Sequence, residues 1–138
     1  MSYAGDITPQ QAWDILRDNE NAVLVDVRTE AEWRFVGVPD TSSIDRPTHL
    51  IEWVDGQGVR NTEFADQLGK ALADRAAEAP VVFLCRSGQR SANAAAVATR
   101  LGITPSYNVL QGFEGALDAS GHRGAEGWRA VGLPWRQS

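Results

Sequence analysis

The chain has 138 residues, 43% of them hydrophobic and 22% charged, which is one domain's length with ordinary globular usage and excludes wholesale disorder. Thirteen basic against 18 acidic residues leave a formal charge of −5, which argues against a nucleic-acid module built on phosphate neutralisation. One cysteine and two histidines exclude an intramolecular disulfide and a Cys-built zinc cluster, and make a poor set for any metal. Thr8-Pro9-Gln10-Gln11 opens a helix: Thr8 caps, Pro9 takes the first helical position and Gln11 completes a capping box. The helix is predicted to reach about Asp18, with Ala12, Ile15 and Leu16 on one face. Residues 22–27 are short, β-branched and mostly apolar, as a strand buried on both faces should be. Residues 29–33 read as a short capped helix. Glycine and proline punctuate 37–62, where only 48–54 has the make-up of a strand. Asn61 or Thr62 caps the next helix, which carries Phe64, Leu68 and Leu72 on one stripe and ends by Pro80. Residues 81–84 form a second buried strand that runs into Cys85, and Ser87-Gly88-Gln89 is a turn. Residues 91–101 form a helix with Ala94, Val97, Ala98 and Leu101 inward, ended by Gly102, and 106–110 form a third strand.

Strands alternating with helices imply right-handed βαβ units, hence an α/β fold with a central, mostly parallel sheet flanked by helices. In such open sheets ligands bind at the carboxyl ends of strands, and Cys85 stands at one. Charge is unevenly spread: residues 1–69 hold 13 acidic and five basic residues, residues 70–138 five acidic and eight basic. An anionic ligand would belong with the second half. The first residues lack the basic and apolar stretches of a signal peptide, and no run approaches 18 apolar residues. The expectations are no membrane contact and a cytoplasmic location.

The chemistry centres on Cys85. A buried strand delivers it to a tight loop, and the loop feeds a helix. The helix's free N–H groups, its dipole and the charges of Arg86 and Arg90 all favour thiolate over thiol. The same N–H groups would hold an oxyanion, and Gly88 supplies a position free to take positive φ. Against this stands the plainer reading of an inert core cysteine; the polar, glycine-containing residues that follow it weigh the other way.

The loop Cys85-Arg86-Ser87-Gly88-Gln89-Arg90-Ser91 resembles the active-site loop of single-domain rhodaneses, the thiosulfate sulfurtransferases. Val23-Leu24-Val25-Asp26-Val27-Arg28, followed by Glu32-Trp33, is similar to that family's early strand and the helix after it. Val109-Leu110-Gln111-Gly112-Phe113 resembles its last strand and glycine turn, and Gly127-Trp128 and Gly132-Leu133-Pro134 resemble its C-terminal end. The resemblance covers about residues 6–135, with gaps. It implies a three-layer rhodanese-like fold and a single domain over 1–138, with a core at about 6–113, an irregular loop at 114–126 and a closing segment at 127–138. It also implies that Cys85 takes the outer sulfur of a small anionic donor such as thiosulfate, holds it as a persulfide and passes it to cyanide or a thiol, a protein thiol included. That chemistry needs no metal and no organic cofactor. Arg86 would read the donor's charge; Ser87, Gly88 and Gln89 would form the backbone cradle; Ser91 and Arg90 would complete the loop, unless Arg90 faces outward on the first helical turn.

Asp26 and Arg28 are supporting residues. Asp26 reads equally as a turn or cap residue near the helix at Thr29 or as a neighbour of the site, and Arg28 is expected to pair with Glu32, four residues on. Two competing functions stay open: a non-catalytic binding or regulatory domain, and a cysteine phosphatase or arsenate reductase. Cysteine phosphatases put five residues between Cys and Arg, whereas four separate Cys85 from Arg90. Two departures from the family pattern stand out. Val36-Gly37-Val38-Pro39-Asp40-Thr41 lacks the histidine that the family often carries there, and the link from Phe113 to Gly127 is long. His122 and Arg123 on that link read as solvated, with an acceptor-side role as the alternative. Trp53, Trp128 and Trp135 lie outside the clear elements; they would cover apolar area, wall the sulfur pocket or support a homodimer contact.

Overall fold

Two four-residue strands with hardly a polar side chain make the middle of the molecule. In the structure, a computed structural model that describes residues 2–137, these are β2 (Val23–Asp26) and β5 (Val81–Leu84), buried at every position. Around them lie β1 (Gly5–Ile7), β4 (Thr48–Leu50) and β6 (Ser106–Val109), giving a sheet of order β1-β6-β5-β2-β4 in which every neighbouring pair is parallel. A parallel sheet needs crossovers, and these are α1 (Pro9–Asp18), α2 (Glu30–Phe35), α3 (Phe64–Ala71) and α4 (Gln89–Arg100). A second, two-stranded pairing joins β3 (Val38–Pro39) antiparallel to β7 (Trp135–Arg136), so the closing segment returns to the turn after α2.

Strand periodicity divides the core into two layers. Val23, Val25, Val27, Val81, Phe83 and Cys85 face one side, where Phe64, Leu68 and the small residues Ala94, Ala95 and Ala98 cover them. Leu24, Val82 and Leu84 face the other, under Ala12, Leu16, Phe113 and Trp128. This is the three-layer rhodanese-like arrangement expected from the sequence. Cys85 therefore leaves β5 on the α4 side.

Both capping boxes form: Thr8 with Gln11 at α1, and Thr29 with Glu32 at α2. Three elements have boundaries that differ from expectation. α3 stops at Ala71 and its cap residue is Glu63, not Asn61 or Thr62; Asn61 instead accepts from the Glu63 N–H in the preceding turn. No bulky apolar residue continues the stripe beyond Leu72, so residues 72–79 turn back in short loops to reach β5. α4 starts at Gln89, earlier than expected, and Leu101 is 52% exposed while Ala95 takes the inward place. Only 48–50 of the 48–54 run pairs with β2 as a ladder. Short strands β1, β3 and β7 had no signal in the sequence.

Asp26 and Arg28 follow the inward alternation of β2 and are both fully buried. Arg28 donates from Nε and Nη2 to the Asp26 carboxylate at 2.7–3.1 Å, gives a further Nη2 hydrogen bond to the Gly37 carbonyl at 2.8 Å, and lies over the Phe113 ring. The expected Arg28–Glu32 pair is thus wrong. Helical spacing does not apply across the turn between β2 and α2, and Asp26 is nearer. Asp26 is likewise no cap for α2, since Thr29 fills that place. Asp26→Ala would leave a buried guanidinium without its carboxylate, an expected loss of about 3–5 kcal/mol, read as the urea unfolding free energy. A loss below about 1 kcal/mol would show that the pair does not hold this layer together.

Candidate active site

β5 ends at Leu84 and the chain turns at once into the 85–88 loop and α4. Cys85 is only 1% exposed, so its sulfur forms the floor of the loop. Gly88, at φ 111°, caps α4 in the left-handed region, and its N–H donates to Cys85 Sγ at 3.1 Å. The Ser91 hydroxyl, on the first turn of α4, lies 3.2 Å from the same sulfur. The thiol thus lies beside the start of a 12-residue helix, at the positive end of its dipole.

The other wall of the loop is the turn after β6. The Phe113 N–H donates to the Cys85 carbonyl at 2.8 Å, and the Glu114 and Gly115 N–H groups donate to the Arg86 carbonyl at 3.0 and 3.1 Å. This approach requires Gly112: it sits at φ 55°, and a Cβ there would overlap the carbonyl oxygens of Cys85 and Arg86. The Cys85 and Arg86 carbonyls are thereby engaged by the turn while the Gly88 N–H faces the sulfur, the polarity a sulfur anion or oxoanion needs.

Arg90 faces inward. It donates from Nη1 and Nη2 to the two oxygens of Glu32 at 2.8 and 3.0 Å. Burial pushes the Glu32 carboxyl up, but the Arg90 hydrogen bonds and charge outweigh it and hold that carboxyl below the ordinary range. Burial likewise pulls the Arg90 guanidinium down, and Glu32, with smaller contributions from the charges of Cys85 and Asp26, lifts it above its usual value. Because the folded Glu32 carboxyl is lowered, this pair's contribution is complete above the ordinary carboxylate range and lost as pH falls through the lowered value. Arg86 is exposed, and among the described residues no carboxylate pairs with it. Ser87 is half-buried and Gln89 exposed, and the loop N–H that the structure brings to the sulfur is that of Gly88.

The loop over 114–126 has no helix or strand. Asp118 accepts from the Ser120 and His122 N–H groups at 2.9 Å, and Arg123 donates to the Gly115 carbonyl at 2.8 Å. His122 is exposed and nothing brings it to Cys85; Arg123 anchors the loop. Trp53 and Trp128 are core residues, Trp53 edge-on to Phe64 and Trp128 edge-on to Trp13. That removes both from any dimer contact and leaves Trp135, 42% exposed and edge-on to Phe113. Among the described residues no cluster of three His, Cys, Asp or Glu side chains is assembled, and no helix is long and apolar enough to cross a membrane.

Three site residues escaped sequence reasoning: Glu32 as the partner of Arg90, Gly112, and Asn108, whose Oδ1 lies 2.5 Å from the Ser91 hydroxyl. A glycine after a terminal strand was the available signal for Gly112. Glu32 and Asn108 meet α4 only through tertiary folding, 58 and 17 residues away in the chain.

Known proteins with the same build bear on this loop. The chain is 65% identical to Rv0390 from M. tuberculosis, whose crystal structure superposes with a TM-score of 0.90 over 99% of each chain. An uncharacterized RP600 homolog of Rickettsia rickettsii is 37% identical over 130 residues, 94% of this chain and 95% of its own. The thiosulfate sulfurtransferase GlpE of Glaesserella parasuis is 32% identical over 129 residues, 94% of this chain and 90% of its own. The family model for the rhodanese-like domain matches residues 8–119, which takes in β2, the Cys85 loop, α4 and the Gly112 turn. By this match, with the sheet and loop described above, the chain belongs to the rhodanese-like domain family.

Proposed function

We propose that this protein is a sulfurtransferase that carries sulfane sulfur as a Cys85 persulfide. The observation that carries the reading is the Cys85 sulfur itself: it sits at the floor of the loop, receives the Gly88 N–H and faces the start of α4. The GlpE likeness points the same way.

The reaction balances without a further reactant. Cys85 thiolate attacks the outer sulfur of thiosulfate. A new S–S bond forms, the old one breaks, and sulfite leaves with the bonding pair. The Cys85 persulfide anion now lies among the loop N–H groups, where the helix dipole offsets its charge. Cyanide or a thiolate then attacks the terminal sulfur, and Cys85 departs as thiolate. This is covalent catalysis in two half-reactions. A floor-set sulfur suits small donors, and Arg86, exposed and without a carboxylate partner among the described residues, is the cation we assign to meeting a dianion at the loop. Arg90 is committed to Glu32 and fixes the first turn of α4.

Thiosulfate and cyanide should give thiocyanate with the native chain and none with Cys85→Ser. Mass spectrometry of thiosulfate-treated protein should show one added sulfur atom that cyanide removes. Turnover of para-nitrophenyl phosphate without thiocyanate formation would overturn the reading in favour of a phosphatase.

Arg86→Ala should raise KM for thiosulfate several-fold with little change in kcat, because it weakens attraction of the dianion and leaves the cradle intact. An unchanged KM would remove Arg86 from donor recognition.

A further inference from the structure

The Ser91 hydroxyl has one proton and two acceptors. Its oxygen lies 3.2 Å from Cys85 Sγ and 2.5 Å from Asn108 Oδ1. Asn108 cannot turn its amide around freely, because its Nδ2 donates to Asp6 Oδ1 at 2.9 Å, and the Tyr3 hydroxyl donates to the same oxygen at 2.7 Å. A carboxylate only accepts, so the amide nitrogen stays with Asp6 and the amide oxygen stays with Ser91. That oxygen cannot donate. The short Ser91–Asn108 contact therefore takes the hydroxyl proton, and Ser91 shows the sulfur a lone pair. A lone pair suits a neutral thiol S–H and not a thiolate. Ser91 and Asn108 are both buried, so water does not make up the missing donor. The strand register sets this up: Asp6 of β1 lies directly opposite Asn108 of β6.

We propose that Asp6 and Asn108 are positioning residues that hold the Ser91 proton away from the Cys85 sulfur and so oppose its ionisation. The use of this device in catalysis rests on the persulfide reading above; the competition for the proton does not. In the persulfide the inner sulfur is uncharged and makes no demand on Ser91. In the empty carrier the thiolate does, and Ser91 can answer only by leaving Asn108. The chain Asp6–Asn108–Ser91 thus favours the loaded carrier over the empty thiolate.

The charges around Cys85 are otherwise largely paired. Arg90 on α4 is offset by Glu32 from α2, and Arg28 is offset by Asp26 at the end of β2. Arg86 stands on the loop, Glu114 on the turn after β6, and α3 presents apolar Phe64 and Leu68 to this layer. Asp6 is thus the carboxylate tied to the sulfur through hydrogen bonds, and it is itself exposed.

Cys85 is the chain's single thiol, so the pH profile of its alkylation by iodoacetamide reads its thiolate without any sulfur transfer. Asp6→Ala and Asn108→Leu should each move the midpoint to lower pH by about half to one unit. Asp6→Ala alters an exposed residue and keeps the test open if Asn108→Leu fails to fold. The decisive comparison is Asp6→Ala in the Ser91→Ala background. The shift should vanish there if Asp6 acts through the hydroxyl. An equal shift with and without Ser91, as a through-space charge would give, overturns the proposal, as does no shift at all. Shifts of the expected sign with no thiocyanate formed would uphold the positioning role and remove the sulfurtransferase reading. Thiocyanate formation with unmoved midpoints would do the reverse.

Discussion

Backbone meeting backbone is the constraint on which the sulfur loop depends. The Phe113 N–H reaches the Cys85 carbonyl, and the next two N–H groups of the turn reach the Arg86 carbonyl. A carbonyl left pointing into the loop would repel a sulfur anion, so removing these carbonyls matters as much as supplying donors. The approach is available because residue 112 has no side chain and sits in the left-handed region. The turn is secured in its own right: the Trp128 N–H donates to the Gly112 carbonyl, and buried Trp128 donates from Nε1 to the Pro134 carbonyl. The closing segment is thus part of the machinery that shapes the loop, although it lies far from the cysteine in sequence.

Charge follows the same logic of commitment. Two of the arginines near the site are consumed by carboxylates, Arg28 in the core and Arg90 beside the loop. Buried ion pairs of this kind contribute geometry more than net stability, because desolvation cancels much of the attraction. Glu32 shows it well. The same carboxylate closes the capping box of α2 and clamps the first turn of α4, so one side chain fixes two helices against each other. The overall charge of −5 says little about the site, where Arg86 is the cation left exposed.

Much of the framework was legible in the sequence, for reasons that are local. β2 and β5 announce themselves as apolar runs, α1 through its capping box, and the Cys85 loop through its glycine and its polar residues after a buried strand. What stayed hidden is long-range. β1 is three residues with one apolar side chain, and its pairing comes entirely from β6. The partner of Arg28 cannot be read from i to i+4 spacing, because the chain is not yet helical at Arg28. The end of α3 is not legible from Pro80, because a proline marks where a helix cannot continue, not where its buried stripe gives out. Asn108 has the look of an ordinary strand residue until the fold sets it between Ser91 and Asp6.

Asp6 and Asn108 touch across 102 residues of chain, and β1 has a single neighbour in the sheet, β6. As the chain leaves the ribosome, β1 emerges first and has nowhere to dock until nearly four-fifths of the sequence has followed. β1, first of the sheet in sequence, therefore cannot be seated before β6, its last strand. A nascent chain can close its cysteine loop on α4 before the carboxylate that reaches it arrives, which makes the chemistry of the thiol a late reporter of complete folding.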